Sequence, residues 1–392
     1  MGRMRIEEEF MGYPRADGTV GVRNHVLVLP SVICSSHTSR RIAQGIKGAV
    51  ALYNEHGCGH IGKDYHRTLR TMIGMGTNPN VHSVLVVGLG CEQVIPYELA
   101  DEIRKTGKRV EVLVMQDEHG VRNTIKKGRQ VLRSLVEEAS KSERIPISVD
   151  RLIIGTECGG SDAMSGVSAN PAMGKAVDLI VGKGGRAILS ETPEFIGAEH
   201  VLARRGADVE VGSETLRIVK AVEDLAKSAG EDIRGAQPSP GNMSGGLTTI
   251  EEKSLGCIHK GGTSAVNHVY DYAESVRCAG LSIMDTTGDD IRSISGMVAG
   301  GAQIILFSTG RGTPAGCAIA PVIKISSNTR AYLNMKDCID INAGTIIEGA
   351  ETTGMVGERI YGLLVKAASG RRTKAEILGQ NDFAIDRILP TI

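Results

Sequence analysis

Ala51-Leu-Tyr-Asn-Glu-His-Gly-Cys-Gly-His60 is the stretch from which we interpret the fold. A short apolar run, residues 48–53, ends there in a loop with one carboxylate, two imidazoles and one thiol between glycines. Such side chains are typical of metal binding or proton transfer rather than of packing. The pattern recurs where apolar residues 84–87 and 152–154 lead into Gly88-Leu-Gly-Cys-Glu92 and Gly155-Thr-Glu-Cys-Gly-Gly-Ser-Asp162. We therefore predict parallel strands whose carboxyl ends bring these loops to one ligand-binding edge.

The order of apolar strands and amphipathic helices predicts an α/β fold. Residues 25–116 alternate β-α-β-α-β-α-β, and a second series starts at residue 151 after a linker-like segment, residues 141–147. This order is typical of mainly parallel sheets covered by helices. We predict two consecutive β/α domains, residues 1–146 and 147–392, with the active site at the carboxyl ends of the strands. The Gly- and Pro-rich residues 237–246 are expected to lack regular structure.

Composition argues against several classes of partner. Among 392 residues, Lys+Arg and Asp+Glu balance at 45 each and aromatics make up 3%, so no nucleic-acid or membrane partner is indicated. No apolar run approaches the ~18 residues of a membrane span. Eight dispersed cysteines without a signal peptide predict a cytoplasmic protein with thiols that are free or metal-bound.

Mixed nitrogen, sulfur and oxygen donors in three loops suggest a metal site. Such donors suit Fe²⁺, Mn²⁺ or Zn²⁺ better than Mg²⁺ or Ca²⁺. No Cys-x-x-Cys pair occurs, which argues against a zinc ribbon or ferredoxin cluster. The alternative for a single cysteine is a small buried hydrophobe. The candidate ligands are His56, Cys58, His60, Cys91, Glu92, Glu157, Cys158 and Asp162.

Two other chemistries remain open. Cys58 could serve as a thiolate nucleophile activated by His56 or His60 in a hydrolase. The Gly-rich loop Ser308-Thr-Gly-Arg-Gly-Thr313 could bind a carboxylate or sulfonate through backbone N–H groups and Arg311, or be an ordinary turn.

Further polar groups follow the same two interpretations, anion binding or plain turn and cap. Ser326, Ser327 and Asn328 follow a predicted strand, and Arg15 and Asn24 lie in the turn-rich entry, residues 13–24. Asp285, Asp289 and Asp290 are expected to include a helix cap, and Lys253, Lys260 and Lys324 are candidate bases if buried.

Six motifs, in order along the chain, resemble the altronate/galactarate dehydratase family. The resemblance covers roughly residues 12–380. The motifs are Arg15-Ala-Asp-Gly-Thr-Val-Gly-Val-Arg-Asn24, Gly57-Cys-Gly59, Gly88-Leu-Gly-Cys-Glu92, Thr156-Glu-Cys-Gly-Gly-Ser-Asp162, Pro240-Gly-Asn242 with Gly245-Gly-Leu-Thr-Thr-Ile-Glu-Glu-Lys-Ser-Leu-Gly256, and Thr309-Gly-Arg-Gly312 with Lys324-Ile-Ser-Ser-Asn328.

The resemblance implies a lyase that removes water from a sugar acid, or sulfite from (2R)-sulfolactate to give pyruvate. It implies a divalent metal, with Fe²⁺ the first expectation and Mn²⁺ the second. Because the chain begins almost at the first motif, it resembles a stand-alone large catalytic subunit, and a separate small subunit is expected. We also expect an oligomer. A scaffold whose chemistry lies in a partner is the non-enzymatic alternative. Asn54-Glu-His56 departs from the family's hydroxyl-rich run and is the expected place of substrate choice.

We predict metal-assisted β-elimination from a small 2-hydroxy acid, in which a base removes the α-proton and positive charge stabilises the anion. The predicted proton-transfer groups are His56, His60 and Glu157. The predicted metal ligands are Cys58, Cys91, Cys158 and His56. The predicted substrate-binding residues are Arg15, Asn24, Thr309, Arg311, Thr313, Ser326 and Asn328.

Overall fold

The computed structural model of the chain describes residues 7–392, which form three β-sheets. Within these residues the strands are β1 (Glu9–Pro14), β2 (Val20–Gly21), β3 (His25–Pro30), β4 (Ala49–Ala51), β5 (Val81–Gly88), β6 (Val110–Val114), β7 (Ile145–Ser148), β8 (Ile153–Cys158), β9 (Arg186–Leu189), β10 (Val266–Tyr270), β11 (Gly280–Met284), β12 (Ile304–Thr309), β13 (Val322–Ser326) and β14 (Ile341–Asn342).

The helices alternate with these strands, so the predicted α/β fold class is confirmed. The α-helices of the described residues are α1 (Ile33–Ala43), α2 (Lys63–Thr77), α3 (Pro96–Arg104), α4 (Val121–Ala139), α5 (Ala169–Val181), α6 (Glu199–Ala203), α7 (Val209–Ser228), α8 (Ile233–Ala236), α9 (Pro240–Ser244), α10 (Ile250–Ile258), α11 (Asp290–Ala299), α12 (Thr329–Asn334), α13 (Thr353–Ala368) and α14 (Lys374–Leu378). Short 3₁₀ helices are Val149–Arg151, Thr192–Phe195, His259–Gly261 and Gly344–Ile346.

The first parallel sheet has the order β4-β3-β5-β6, built from the predicted β-α-β-α-β-α-β series. Its central strands contain continuous apolar runs, residues 26–29 of β3 and 84–87 of β5, because both faces are covered. Val28 and Val87 pack with residues of α1 and α4 on one face. Leu27 and Val86 pack with residues of α2 and α3 on the other.

The second parallel sheet has the order β10-β11-β9-β8-β12-β13-β14. Helices α5 and α13 cover one face, and α11 packs against the other. Helix α11 also contacts α2 of the first sheet, and a Cβ on Gly74 would lie 2.3 Å from the Ala299 carbonyl oxygen. This close backbone approach packs the layers of the two sheets together.

A small antiparallel sheet, β2-β1-β7, crosses the predicted boundary at residue 146. Phe10 of β1 pairs with Ile147 of β7, in a segment for which the sequence suggested a linker. Buried Phe10 in the core of the second sheet explains why this segment is ordered. The division into two domains at residue 146 stays a prediction.

One expectation of irregular structure is wrong. Residues 240–244 form α9, because Pro240 suits the first helical turn and Ser239 caps it by accepting a hydrogen bond from the Asn242 N–H. No helix within residues 7–392 is both long and apolar enough to cross a membrane.

Candidate active site

The loops after β4 and β5, the two strands that flank β3, lie side by side, as the sequence predicted for strands of one parallel sheet. The Gly57 carbonyl accepts hydrogen bonds from the N–H groups of Gln93 and Val94, at 3.1 and 3.2 Å. Glu92 fixes the second loop, because its carboxylate accepts hydrogen bonds from Ser31 Oγ at 2.6 Å and from the Leu89 N–H at 2.9 Å. The Glu92 carboxylate is therefore occupied by hydrogen bonds from within the protein.

The two histidines of this edge differ in their free nitrogen atoms. His60 is buried and its Nε2 accepts the Gly57 N–H at 2.9 Å, so its proton is assigned to Nδ1, which has no partner. His56 is half-buried and its Nε2 lies 3.3 Å from the Ile385 carbonyl oxygen, an acceptor, so its Nδ1 is the basic nitrogen. Burial, Arg387 and His56 lower the pKa of His60 to about 4. Burial also lowers the pKa of His56, and the charges of Arg387 and Arg292 add to that effect.

Cys58 and Cys91 are exposed in these two loops, whereas Cys158 is buried at the end of β8. Among the described residues, Cys158 groups with Glu191, Glu194 and Cys257, without Cys58, Cys91 or His56. The structure thus brings the Cys58 and Cys91 loops together and places Cys158 in another cluster.

Five of the predicted substrate-binding residues come together around Asp162. This carboxylate accepts hydrogen bonds from Ser165 Oγ, Ser327 Oγ and Asn328 Nδ2 at 2.7–2.9 Å. It thereby joins the loops after β8 and β13, and Asn328 Nδ2 also donates to the Gly310 carbonyl in the loop after β12, at 2.8 Å. A Cβ on Gly160 would lie 3.2–3.7 Å from atoms of Thr309, Arg311 and Thr313, and Ser326 ends β13.

Arg15 and Asn24 lie elsewhere, before the amino-terminal ends of β3 and β5. Arg15 donates to the Pro79 carbonyl, to Asn24 Oδ1 and to the Arg23 carbonyl at 2.7–2.9 Å. Burial lowers the pKa of Arg15 to about 10. These contacts organise the entry segment, and the structure does not bring the two residues to the edge that carries the other candidates.

The most concentrated chemistry is a buried cluster of thiols, acids and lysines. Ligand atoms of Cys158, Glu191, Glu194 and Cys257 all lie within 4.8 Å of one another. Lys260 Nζ lies 3.2 Å from Cys158 Sγ and forms an ion pair with Glu191.

Lys253, the second ammonium group of the cluster, pairs with Glu194 at 2.8 Å. Helix α10 and the following 3₁₀ helix supply Cys257 and Lys260, because they pack beside α5 and the ends of β8 and β9.

A second group of acids continues the cluster. Glu157, Glu191 and Asp290 also have carboxylate oxygens within 4.8 Å of one another. Glu157 accepts hydrogen bonds from Ser190 Oγ at 3.0 Å and from Ser293 Oγ at 2.6 Å. Its Oε1 and that of Glu191 are buried without hydrogen-bond partners. Such unpaired buried oxygens are costly unless a proton or a cation compensates them.

The cluster has more acids than bases, and the pKa values respond to that excess. Burial and Glu191 raise the pKa of Glu157 well above its ordinary value, and burial and Glu194 raise that of Glu191. Burial and the charges of Glu191 and Glu194 raise the pKa of Asp290 to about 7. Burial alone would also raise the pKa of Glu194, but Lys253 and Lys260 outweigh it and bring the value to about 2.

The residues present fit a divalent metal ion. Two thiols and two carboxylates are a donor set for Fe²⁺, Mn²⁺ or Zn²⁺ rather than for Mg²⁺. An ion held by these four residues would reduce the acid excess and could give the unpaired oxygen of Glu191 a partner. Glu191 also has a left-handed backbone, with φ of 73°, a strained state that clusters at functional sites.

A cleft of about 410 Å³ lies beside the first turn of α11, the helix that begins at Asp290. It joins both sheets and residues 384–392, which we call the C-terminal strap. Asp290 is half-buried and lies in the chain between Thr287 and Arg292, which both line the cleft, whereas Lys253 and Cys257 of the cluster line another cavity, of about 230 Å³, with Ser161 and Asp162. The lining residues are His56, Thr287, Arg292, Ile385, Asp386, Arg387, Leu389, Pro390 and Thr391.

Sequence reasoning missed five members of this site: Glu191, Glu194, Cys257, Arg292 and Arg387. A usable signal existed for the first two, because Glu191-Thr-Pro-Glu194 follows β9 as the other loops follow their strands. Cys257 and Arg387 lie on a helix and on a segment without periodicity. Asp289 is the helix cap expected among the three aspartates, since its side chain accepts the Arg292 N–H.

Two family models together match most of the chain. Residues 12–140 match the D-galactarate dehydratase/altronate hydrolase second domain, and residues 149–391 match the D-galactarate/altronate dehydratase C-terminal domain. The chain belongs to the D-galactarate/altronate dehydratase family. This confirms the resemblance found in the motifs.

Relatives in the family are lyases. Subunit beta of (2R)-sulfolactate sulfo-lyase from Chromohalobacter salexigens is 37% identical, over 97% of this chain and 97% of that protein. The altronate dehydratases of Escherichia coli and Bacillus subtilis are 35% and 33% identical, over 96% and 95% of this chain and 77% and 76% of those proteins. This family member is therefore an enzyme of the lyase class, and hydrolase and scaffold functions are not favoured.

Proposed function

We propose that the chain catalyses metal-assisted β-elimination from a short 2-hydroxy acid. The supporting observations are the buried, acid-rich Cys/Glu cluster and a cleft lined by an imidazole and two arginines, one of which, Arg292, follows Asp290 of the cluster by two residues. The metal is Fe²⁺ in first place and Mn²⁺ in second, held by Cys158, Glu191, Glu194 and Cys257. The leaving group is water, as in the dehydratase relatives, or sulfite, as in the sulfo-lyase whose whole length this chain matches.

The proposed base is His56. Its lowered pKa keeps the imidazole neutral at pH 7, and Nδ1 has a free lone pair if Nε2 donates to Ile385. His60 cannot take this role in the same geometry, because its Nε2 already accepts the Gly57 N–H. Neutral His60 acts instead as a hydrogen-bond donor through its Nδ1–H, which has no hydrogen-bond partner in the protein.

Asp290 is the proposed acid. With a pKa of about 7 it is partly protonated at neutral pH and can donate a proton to a departing hydroxide. Sulfite leaves as a stable anion and needs no such proton. Glu157 is fully buried and hydrogen-bonded to Ser190 and Ser293, so we assign it to positioning of the cluster.

A bound divalent ion supplies positive charge that stabilises the substrate anion as the α-proton leaves. The loops around Asp162 carry Thr309, Arg311 and Asn328, none of which lines the cleft of His56, so a substrate contact of these residues stays a prediction from the sequence. Arg15 and Asn24 are proposed only as organisers of the entry segment.

A small partner subunit and an oligomeric assembly complete the proposal. The sulfo-lyase relative is named as a subunit beta, and the dehydratase relatives are longer than the aligned region. Co-expression of the chain with a candidate small subunit, followed by size-exclusion chromatography, tests this part. Full activity of the isolated chain would contradict it.

The metal site can be tested by elemental analysis of protein purified without chelator. We expect a stoichiometric divalent metal that is lost in Cys158→Ser and Cys257→Ser. Cys278→Ser, an exposed thiol elsewhere, is the control. Cys58→Ser and Cys91→Ser decide between the two ligand sets, because they lose the metal only if the loop cysteines bind it. Full activity after chelation would contradict a metal role altogether.

The substrate is tested by assaying pyruvate and sulfite release from (2R)-sulfolactate beside 2-oxo acid release from altronate and galactarate. Turnover of at least one acid is expected. Failure with all three, in protein with its metal and its partner, would contradict the proposed reaction.

A further inference from the structure

The proposed elimination chemistry assigns no role to Arg387 of the C-terminal strap. The strap is anchored on both sides of this residue. Asp386 forms an ion pair with Arg67, and its N–H lies 3.3 Å from Tyr272 Oη.

Asp64 provides the anchors on the other side of Arg387. Its carboxylate accepts the N–H groups of Ile388 and Leu389 at 3.0 and 2.8 Å. The strap therefore fixes where the Arg387 guanidinium lies.

Most donors of this guanidinium are not used by the protein. Of its five N–H groups, one bonds to Thr391 Oγ1 at 2.6 Å and one to the Leu389 carbonyl at 3.3 Å. Its Nε is buried without a hydrogen bond and lies 3.6 Å from Asp64, whose oxygens already accept two backbone N–H groups. The side chain is 17% exposed, into the cleft that it lines.

Arg292 brings a second cation to the same cleft from the edge of the other sheet. It donates one hydrogen bond to Asp289 at 2.8 Å and is 39% exposed. Asp386, a carboxylate that lines the cleft, forms its ion pair with Arg67, and its charge also interacts with that of Arg292. Two guanidinium groups on separate elements thus face one cleft of about 410 Å³.

We propose that Arg387 and Arg292 bind the two acidic groups of a short dianionic hydroxy acid, a dicarboxylate or a carboxy-sulfonate. Arg387 selects such substrates over monocarboxylate sugar acids. This inference rests on the proposed function and adds to it the charge class of the substrate and the residue that chooses it. Guanidinium groups suit both carboxylates and sulfonates because they donate paired hydrogen bonds.

The test compares kcat/KM of the complete enzyme for sulfolactate and galactarate, which are dianions, with that for altronate, a monoanion. We expect the wild type to prefer the dianions and Arg387→Gln to lower their kcat/KM about 10- to 100-fold, with little change for altronate. Arg387→Lys keeps the charge and should retain part of the preference. Arg330→Gln, on exposed α12, is the matched control. Equal losses for all three acids, or a wild type that prefers altronate, would overturn the inference.

A binding measurement separates this inference from the reaction itself. Titration calorimetry with malonate, an unreactive dianion, should show binding that is weakened at least tenfold in Arg387→Gln and kept in Arg330→Gln. Propionate, a monoanion, should bind with equally low affinity to Arg387→Gln and Arg330→Gln. Unchanged malonate affinity in Arg387→Gln overturns the role of Arg387, whether or not the enzyme turns over any of the three acids.

Discussion

Gly57 gives the His56 loop a backbone shape that a side chain would break. Its φ is 107°, and a Cβ would lie 2.2 Å from the Ser31 carbonyl oxygen. Gly57→Ala should therefore cost more than the about 1–3 kcal/mol of a strained φ alone and should displace both histidines. Thermal unfolding and kcat measure the two effects. Gly18→Ala has a similar φ of 81° but open space, so equal destabilisation by both variants would contradict the clash.

Asp290 allows the two leaving groups to be distinguished at the scale of one residue. Asp290→Asn removes the proposed proton donor, so dehydration of altronate should slow about 100-fold or more, because general acids contribute about 10²–10⁴-fold. Elimination of sulfite should be much less affected. The measurement is kcat for both substrates. Asp101→Asn, at an exposed residue of α3, is the control. A similar loss for both substrates would contradict the acid role.

Among elements, long apolar strands were predicted from the sequence and short ones were not. Strands β3, β5 and β12 each contain a continuous apolar run, because helices cover both faces of their sheets. Such runs can be recognised in the sequence without a structure. Strands β2 and β14 have two residues each, and β7 exists only because β1 pairs with it. The sequence of the strap has no hydrophobic periodicity from which its structure could be predicted. The strap is ordered by its contacts with Asp64 and Arg67 of α2.

The strap should loosen when its anchor changes. Asp64 is fully buried and accepts two strap N–H groups, and hydrogen bonds to charged groups contribute about 1.5–3 kcal/mol each. Asp64→Asn should increase hydrogen exchange at residues 385–392 and raise KM for the acid substrate. Exchange measured by mass spectrometry, with Asp101→Asn as control, decides the matter. Unchanged protection in the strap would mean that other contacts hold it.

At the scale of the whole molecule, Arg23 and Glu376 link the entry segment to α14. Two hydrogen bonds of 2.7 and 2.9 Å join their side chains, which are 9% and 16% exposed. Breaking a buried pair leaves an uncompensated charge, so Glu376→Gln should destabilise the protein by about 3–5 kcal/mol. Urea unfolding at pH 7 measures this. Asp224→Asn, in an exposed pair with Lys220, should leave the unfolding curve unchanged.

The same pair predicts acid sensitivity. Burial would raise the pKa of Glu376, but Arg23 and the Thr373 N–H outweigh burial and lower it below 4.5. The unfolded chain therefore binds this proton before the folded one does. The stabilisation is complete above pH 4.5 and is lost as pH falls through the folded pKa, by up to about 1.4 kcal/mol per pH unit. Glu376→Gln should flatten the pH dependence of stability in that window.

The sequence by itself determined the parallel α/β layers, the loops at the strand ends and the family. Apolar runs and Gly-rich loop motifs are local, and local pattern suffices for them. Only the tertiary structure decided which donors meet. Cys158 contacts Glu194, Cys257 and Lys260, which lie 36, 99 and 102 residues away in the chain. Strand order places β9 beside β8, and packing places the 3₁₀ helix after α10 against both, whereas Cys58 and Cys91 lie in loops that follow strands of a different sheet. The ligand set depends on that order, which the spacing of cysteines in the chain does not encode.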